Sequence, residues 1–582
     1  MTKKLWRIKS LDNEGLVDEL QGVLNDLPKP LARALILRGI DSFEAARVFF
    51  RSGTDQLHDP YMMADMEPAV DRIVRAIKDG ERILVYGDYD VDGTTSTALL
   101  THYLEGQGAN VCFFVPNRFK HGYGLSREGL AVAKTEGATV VVALDCGVTA
   151  IDESKYAGSL GIDLVICDHH RPQKSLPDVV AVLDSKRSDC CYPFKELCGC
   201  GVTMKLAQAI HQRLGHDPEE LYEYLDLVAI ATASDMVSLT GENRILLRAG
   251  LQLLRENPRI GLKMLAEQAG VRMSECSPRS ISFALGPRIN AAGRLGDAGR
   301  AVTLMLANDE LEAVARARQL ERLNDERRAL DRATQEEAFL MADRLLSGPQ
   351  RHTVVLYHPT WHLGVIGIVA SRLVERHFRP AIMLTKSGDV VKGSARSING
   401  INIYQALESC ADLLIEFGGH NFAAGLSLRP EDVEAFSIKF DEAVAASVTP
   451  DILEPVVEVD AEMNLEDLDK RFWAVLKQFE PFGVDNEAPI FMSTNLEVIG
   501  PVTTVGKDRN HLKFAVRSVS GSHPVRNVIG FGMGKHLEIV ADSQETGTPL
   551  DLLYSIEENT WNGRTSLQLQ AKDVRSSIMT SG

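Results

Sequence analysis

Three apolar segments of this chain run straight into acid. RILVYG (82–87) leads into Asp88-Tyr89-Asp90-Val91-Asp92-Gly93, TVVVAL (139–144) into Asp145-Cys146-Gly147, and DLVIC (163–167) into Asp168-His169-His170. Continuous Val/Ile/Leu runs separated by helices of about ten residues mark a parallel sheet covered on both faces. In doubly wound sheets, ligands sit at the carboxyl ends of the strands. The three acidic ends are therefore expected on one edge, where five Asp and two His meet in a small volume. So many carboxylates cannot all stay ionised side by side without cations. Carboxylates with imidazoles suit Mn²⁺, Mg²⁺ or Fe²⁺, and the lack of thiolates at these positions argues against structural zinc.

Each piece alone has a plainer reading. Asp-x-Asp-x-Asp-Gly opens an EF-hand loop, but the twelfth position from Asp88 is Leu99 and the flanks are strand and helix. Asp145 at a strand end could cap the next helix, and paired histidines are commonly surface residues. Their order along one sheet edge is what sets the combination apart. Cys190, Cys191, Cys198 and Cys200 fit no common zinc spacing, and LCGCGV reads as a packed turn entering a helix, so these read as ordinary thiols. The chain contains no Gly-x4-Gly-Lys-Ser/Thr loop, so a nucleotide-driven motor is not suggested.

The elements that must hold these ends follow from composition and pattern. The chain has 582 residues, 45% apolar and 25% charged, which fits three or four globular domains at roughly 100–200 residues each. Lys and Arg number 63 against 80 Asp and Glu, for a net charge of −17. That excludes a non-specific DNA coat, which needs a broad basic surface, and leaves room for local basic grooves. MTKKLWRIKS lacks the apolar core of a secretory leader, no apolar run nears the ~18 residues of a membrane span, and nine Cys are too few for a disulfide scaffold. A cytoplasmic protein without a membrane partner is expected.

Residues 1–305 read as short helices (33–38, 42–50, 66–78) leading into the doubly wound α/β domain. That domain adds helices at 94–108 and 126–136, strands at 110–115 and 179–184, and mostly helix over 203–270. Residues 306–348 form a connector, since 309–346 lacks Gly and Pro and reads as one long solvated helix ending at Ser347-Gly348-Pro349. A second, smaller α/β domain is expected over 349–450, with strands at 352–358, 380–385 and 390–396 and a helix near 367–376. A Pro- and acid-rich linker is placed at 448–460. Five short strands (488–500, 511–519, 525–532, 550–556, 566–574) make 451–582 an OB-like β-barrel. In it Phe491, Phe514 and Phe531 read as core before stacking platforms, and Lys507, Arg509, Lys513 and Arg526 as candidates for strand-backbone contacts.

GDYDVDG (87–93), LDCG (144–147), CDHH (167–170) and ATASD (231–235) resemble, in order, the four signature motifs of the DHH phosphoesterase superfamily. PNRFKHGYGLS (116–126), LGPRINAAGRLGDA (285–298), WHLGVIGIVASR (361–372), GSARS (393–397), FGGHNFAAG (417–425) and EPFGVDN (480–486) extend the resemblance over nearly the whole chain, to the bacterial RecJ-type exonucleases. The resemblance implies a DHH domain, a DHHA1-like substrate-binding domain over 349–450, and an OB-like nucleic-acid-binding domain. It implies that Asp90, Asp92, Asp145, His169 and Asp235 hold two divalent cations, Mn²⁺ or Mg²⁺, with Asp88 a further acidic position of the first motif. Asp168 would orient the neighbouring imidazole, and His170 would face the scissile phosphate. Arg118, Arg288, Arg294, Ser394, Arg396 and His420 match phosphate-contacting positions, with Gly418 and Gly419 letting the backbone approach substrate. Tyr86 stands where many relatives have His, and Asp485 where Gly is common.

The activity implied is metal-dependent degradation of single-stranded DNA, 5′→3′ by resemblance alone, in recombination and repair. Asp145 is the candidate to bridge two metals that activate water for in-line displacement at phosphorus. Single-strand binding protein and a RecQ-type helicase are the implied partners of a monomer. Two other classes compete. A DHH phosphoesterase for small phosphates or short oligonucleotides would share the metal site but have little use for the barrel. A non-catalytic replication scaffold would have lost metal ligands, whereas every ligand position here is filled.

Overall fold

A computed structural model describes all residues except 1–3, 119, 123, 349, 520–523, 562–563 and 578–582. Pro349 of the expected helix stop, and Phe119 and Tyr123 of the PNRFKHGYGLS motif, lie outside the described residues. The chain forms two compact units that cut across its linear order: residues 54–455 make one, and 3–53 join 456–582 in the other.

Residues 54–455 contain two α/β layers. The first is a five-stranded, all-parallel sheet of β1 (Arg82–Tyr86), β2 (Asn110–Phe114), β3 (Val140–Leu144), β4 (Asp163–Cys167) and β5 (Ala181–Leu183), in the order β2-β1-β3-β4-β5. Beyond the leading Arg82, Asn110 and Asp163, its strands are apolar because both faces are covered. Ile83, Val85, Val140 and Val142 enter one core, while Leu84, Tyr86, Val141 and Ala143 enter the other. Helix α1 (Val91–Gly106) is buried along nearly its whole length, and its small TTSTALL residues permit close packing. Helices α2 (Gly199–Leu214), α3 (Leu225–Ser234) and α4 (Gly286–Leu295) complete that side.

Helix α5 (Glu310–Leu346) is continuous, as its composition predicts, and Asp309 caps it by accepting from Glu312 N–H. It is no freely solvated rod. Ala313, Ala317 and Leu320 join the first core, and Ala338 and Ala342 join the core of the second α/β layer. That layer is a mixed sheet of β6 (Val354–Tyr357), β7 (Ala381–Ser387), β8 (Val390–Arg396), β9 (Leu414–Gly419) and β10 (Ala423–Leu428), in the order β9-β10-β8-β7-β6, with α6 (Leu363–His377) against it. The hairpin β9–β10 has no clear signature in the sequence, because Gly418-Gly419-His420 reads as loop rather than strand.

In the other unit, the strand Phe491–Val505 pairs with both His511–Ser518 and Leu550–Trp561. Arg526–Gly530 and Arg564–Ser576 close the ring. All five expected strands are present. Phe491 and Phe514 are core, Phe531 is 50% exposed, and the Arg526 guanidinium turns inward to the Leu468 carbonyl rather than outward. Lys507, Arg509 and Lys513 are exposed.

Two expectations are corrected here. The helices Gly15–Val23, Lys29–Ile36 and Phe43–Arg51 pack on this barrel, sharing its core through Leu31, Leu35 and Phe479, instead of opening the doubly wound domain. Short amphipathic helices carry an apolar stripe but no address for it. The supposed linker at 448–460 also contains a strand, Val456–Val459, paired in parallel with Leu5–Ile8. Among the described residues no helix is long and apolar enough to cross a membrane.

Candidate metal centre

The loop leaving β1 turns directly into α1. Asp90 caps that helix by accepting from Gly93 N–H at 3.1 Å. Gly93 cannot be anything else, because a Cβ there would lie 2.6 Å from the Asp88 backbone. Asp92, in the first turn of α1, is fully buried. Its two oxygens accept from the N–H groups of Gly199 (2.6 Å) and Cys200 (2.7 Å) at the N-terminus of α2, where the helix dipole favours negative charge. Sequence reasoning missed this clamp, whose only signal is the Gly-Cys-Gly that begins α2.

Asp145 follows β3 in the left-handed region, φ +60°, with its N–H donated to the Cys167 carbonyl at 2.8 Å. Asp tolerates that region better than most side chains. His169 follows β4, and its Nε2 lies 3.2 Å from Asp145 Oδ1, 3.6 Å from Asp235 Oδ2 and 3.8 Å from Asp92 Oδ2. Asp235 arrives from the C-terminus of α3. Three overlapping sets of ligand atoms result, each within 4.8 Å: Asp88, Asp90 and Asp145; Asp92, His169 and Asp235; Asp145, His169 and His170. The residues that sequence motifs placed on one rim are together.

Asp168 stands apart from these sets. It accepts from the N–H groups of Val148 (2.9 Å), His169 (2.8 Å) and His170 (3.1 Å), and pairs with His170 Nδ1 at 2.7 Å. Burial opposes its charge, but His170 and these donors hold it below the usual carboxylate range. Burial would likewise lower His170, but Asp168 outweighs it and raises the imidazole to about 9. Burial and the charge of His170 push His169 down to about 3, so it presents a neutral, metal-ready imidazole. Burial and then Asp90 raise Asp88 to about 8 and Asp92 to about 7; burial and neighbouring carboxylates push Asp145 and Asp235 well up. Without cations these groups are driven to hold protons. Among the described residues Asp88 Oδ1 and Asp145 Oδ1 are buried and accept no hydrogen bond, an expensive state that a divalent ion relieves. Oxygen-rich donors with one or two imidazoles fit Mn²⁺ or Mg²⁺.

Helix α4 runs against the aspartate loop. Asn290 Oδ1 accepts from Val91 N–H at 3.1 Å, and a Cβ on Gly293 would sit 2.4 Å from the Tyr89 carbonyl. Arg294 then reaches the start of α6 by donating to the Gly364 carbonyl at 3.1 Å. Across α6, Ser394 and Arg396 lie side by side on β8, with Arg396 Nη1 donating to Ser394 Oγ at 3.0 Å and Gly367 close by. Arg118 lies over the Tyr89 ring at 5.3 Å. Arg288 is buried and bonded to Glu321 and the Ala284 carbonyl, so it does not lie open to the cluster. Gly418, Gly419 and His420 are exposed in the β9–β10 hairpin.

Tyr86 does not replace a metal ligand in this arrangement. It is buried, and its hydroxyl donates to the Gly124 carbonyl at 3.1 Å and meets Ser126, anchoring the turn before the 127–135 helix. Asp485 adopts φ +59°, which accounts for the fit of Gly at that turn. Cys198 and Cys200 are buried, and Cys198 Sγ accepts from Gly201 N–H at the start of α2.

Three family models match the chain: the DHH family N-terminal domain over residues 82–232, the DHHA1 domain over 350–446 and the RecJ OB domain over 459–573. The chain is 38% identical over 575 residues to the single-stranded-DNA-specific exonuclease RecJ of Bacillus subtilis, covering 98% of this chain and 71% of that protein. It is 35% identical to the RecJ of Salmonella typhimurium, covering 96% and 97% respectively. The crystal structure of RecJ in complex with Mn²⁺ from Thermus thermophilus superposes with a TM-score of 0.82 at 29% identity, over 99% of this chain and 80% of that one. With three domain matches in order and this identity over nearly its full length, the chain belongs to the RecJ family of DHH-superfamily exonucleases.

Proposed function

We propose that the chain is a metal-dependent exonuclease that hydrolyses single-stranded DNA from the 5′ end, in recombination and repair. The observation that carries this reading is that Asp88, Asp90, Asp92, Asp145, His169 and Asp235 bring their ligand atoms into overlapping sets, each within 4.8 Å, with His170 beside them. Two Mn²⁺ or Mg²⁺ ions held there would supply an activated water and neutralise charge on the phosphoryl oxygens. Asp145 belongs to two of the three sets and would be the carboxylate placed to help hold both ions. Asp92, fixed by two backbone N–H groups, keeps its carboxylate aimed without help from side chains. Asp168 holds His170 in one orientation with its proton retained, so His170 can donate to an anionic phosphate oxygen.

Arg118 and Arg294, with Ser394, Arg396, Gly418, Gly419 and His420 of the DHHA1-like domain, residues 349–450, serve the strand's phosphates, while Arg288 is held by Glu321. The similar proteins named for single-strand specificity, and the matching OB domain, support single-stranded DNA as the substrate. A cytoplasmic monomer working with single-strand binding protein and a RecQ-type helicase completes the proposal.

The test uses end-labelled single- and double-stranded oligonucleotides with Mn²⁺, Mg²⁺ or chelator, with Asp145→Ala as control. Metal-dependent release of nucleotides from the 5′ end of single strands is expected. Release from the 3′ end, equal attack on duplex, or undiminished activity in Asp145→Ala overturns the reading.

A further inference from the structure

Helix α2 ends in chemistry that the metal centre does not use. Its last turn carries His211, and Gly215 closes it at φ +77°, with His216 N–H donated back to the His211 carbonyl at 3.1 Å. That cap brings the two imidazoles together edge to face, their ring centroids 4.9 Å apart. Asp217 then starts the turn Pro218–Tyr224 by accepting from Glu219 N–H, which sets Glu220 over the same spot. Glu220 Oε2 lies 3.5 Å from His211 Nε2, and the ligand atoms of His211, His216 and Glu220 all fall within 4.8 Å.

Two imidazoles and one carboxylate are a zinc donor set. Zinc bonds of about 2.0–2.2 Å place tetrahedral ligand atoms about 3.3–3.6 Å apart, which matches the spacing of His211 and Glu220. His211 is 2% exposed and supplies a fixed anchor, whereas His216 and Glu220 are exposed and can turn through the remaining distance. Among the described residues Glu220 forms an ion pair with His211 alone, and Arg213 is taken up by Glu67 and Asp71. In the metal-free arrangement His211 Nε2 donates to the Asp217 carbonyl at 2.8 Å. Nδ1, without a partner among the described residues, can carry the ring proton instead, and that carbonyl keeps the Glu220 N–H at 3.1 Å. The carbonyl end of α2 also favours a cation.

We propose that His211, His216 and Glu220 form a Zn²⁺ site, with its fourth position open to water, that ties the end of α2 to the 218–224 turn. Gly199, whose N–H holds Asp92, begins the same helix. About 18 Å of helix, at 1.5 Å per residue, therefore separates the zinc site from the carboxylate cluster. The two also differ in kind, since paired imidazoles prefer Zn²⁺ where a carboxylate-rich centre takes Mn²⁺ or Mg²⁺.

The test titrates the metal-free full chain with Zn²⁺ and counts bound zinc after gel filtration, beside His216→Ala, Glu220→Gln and Asp145→Ala. The first two change exposed side chains, and the thermal midpoint without metal verifies that they fold. His216→Ala is expected to hold one zinc fewer than the wild type. Glu220→Gln is expected to weaken the same step by at least the roughly 10–100-fold that loss of a supporting contact costs a metal site. Asp145→Ala is expected to keep this zinc and the rise in thermal midpoint it brings, and adding His216→Ala to it is expected to remove that rise. Equal zinc content in His216→Ala and the wild type, or a rise as large in the double variant as in Asp145→Ala, overturns the proposal. Zinc is counted without any digestion assay, so the site can fail while the nuclease reading stands, and the reverse.

Discussion

Gly199→Ala isolates the most demanding contact in the metal centre. A Cβ at position 199 would lie 2.8 Å from Asp145 Oδ1, 2.9 Å from its Cβ and 3.0 Å from its Cγ. Restoring ordinary contact requires the Asp145 side chain to retreat about 0.5 Å, the tolerance within which a metal site keeps its geometry. Neither partner can yield easily. Asp145 sits at φ +60° with its N–H tied to Cys167, and the residue 199 N–H is tied to Asp92 at 2.6 Å. Overpacking of this kind costs about 1–3 kcal/mol, felt as a fall of a few degrees in thermal midpoint. Because the displaced group is a candidate bridging ligand, Mn²⁺ affinity should fall about 10–100-fold and single-strand digestion at limiting Mn²⁺ by at least as much, with partial rescue at high Mn²⁺. Calorimetric titration with Mn²⁺ and single-turnover digestion read the two effects. Gly201→Ala is the control, since its Cβ meets the flexible end of Leu197 at 3.2 Å. Wild-type Mn²⁺ affinity and rate in Gly199→Ala, or an equal loss in Gly201→Ala, refutes the reasoning.

The cluster also sets a pH dependence. With Asp88 raised to about 8 and Asp92 to about 7, the metal-free fold binds protons that the unfolded chain, titrating near 4, does not. Their contribution to stability is full below about pH 4 and lost as pH climbs through about 8. Mn²⁺ binding at pH 7 should therefore release protons, visible as a titration enthalpy that varies with buffer ionisation heat. Elsewhere, Lys205 is fully buried against Glu242 at 2.8 Å. Glu242→Ala should cost about 3–5 kcal/mol by stranding that charge, while the double replacement Lys205→Met with Glu242→Leu should recover most of it in chemical denaturation. Deleting both 1–53 and 456–582 should leave residues 54–455 folded and Mn²⁺-binding but with severely weakened single-strand binding. Deleting 456–582 alone should instead expose Leu31 and Leu35 and cause aggregation, detectable by light scattering.

Much of this is legible in the residues. The strand ends at Asp88–Asp92, Asp145 and His169 can be read because continuous apolar runs specify parallel strands and the sheet edge then follows from topology. Helix α5 is readable as one piece, since nothing in 309–346 breaks it. Its polar buried stripe of Asn324, Arg327, Asp331 and Thr334 is not, because a helix interrupted by Arg and Asp on its inner face looks solvated until its neighbours are known. The amide clamp on Asp92 is invisible for a similar reason: backbone donors carry no residue signature. Arg288 and Arg526 read as outward basic groups, yet both are bonded internally, to Glu321 and to the Leu468 carbonyl. Side-chain type names a charge but not which way it points.

The parallel pairing of Leu5–Ile8 with Val456–Val459 has a kinetic consequence. Arg7 meets its partner Glu458 only 451 residues later in the chain. At synthesis rates of 5–20 residues per second, the leading strand and its three helices emerge about 20–90 s before the surface they cover exists. The intervening domains have time to mature while that segment stays exposed at the ribosome, so a chaperone that shields it would raise the yield of soluble protein, and slowing translation would lower it.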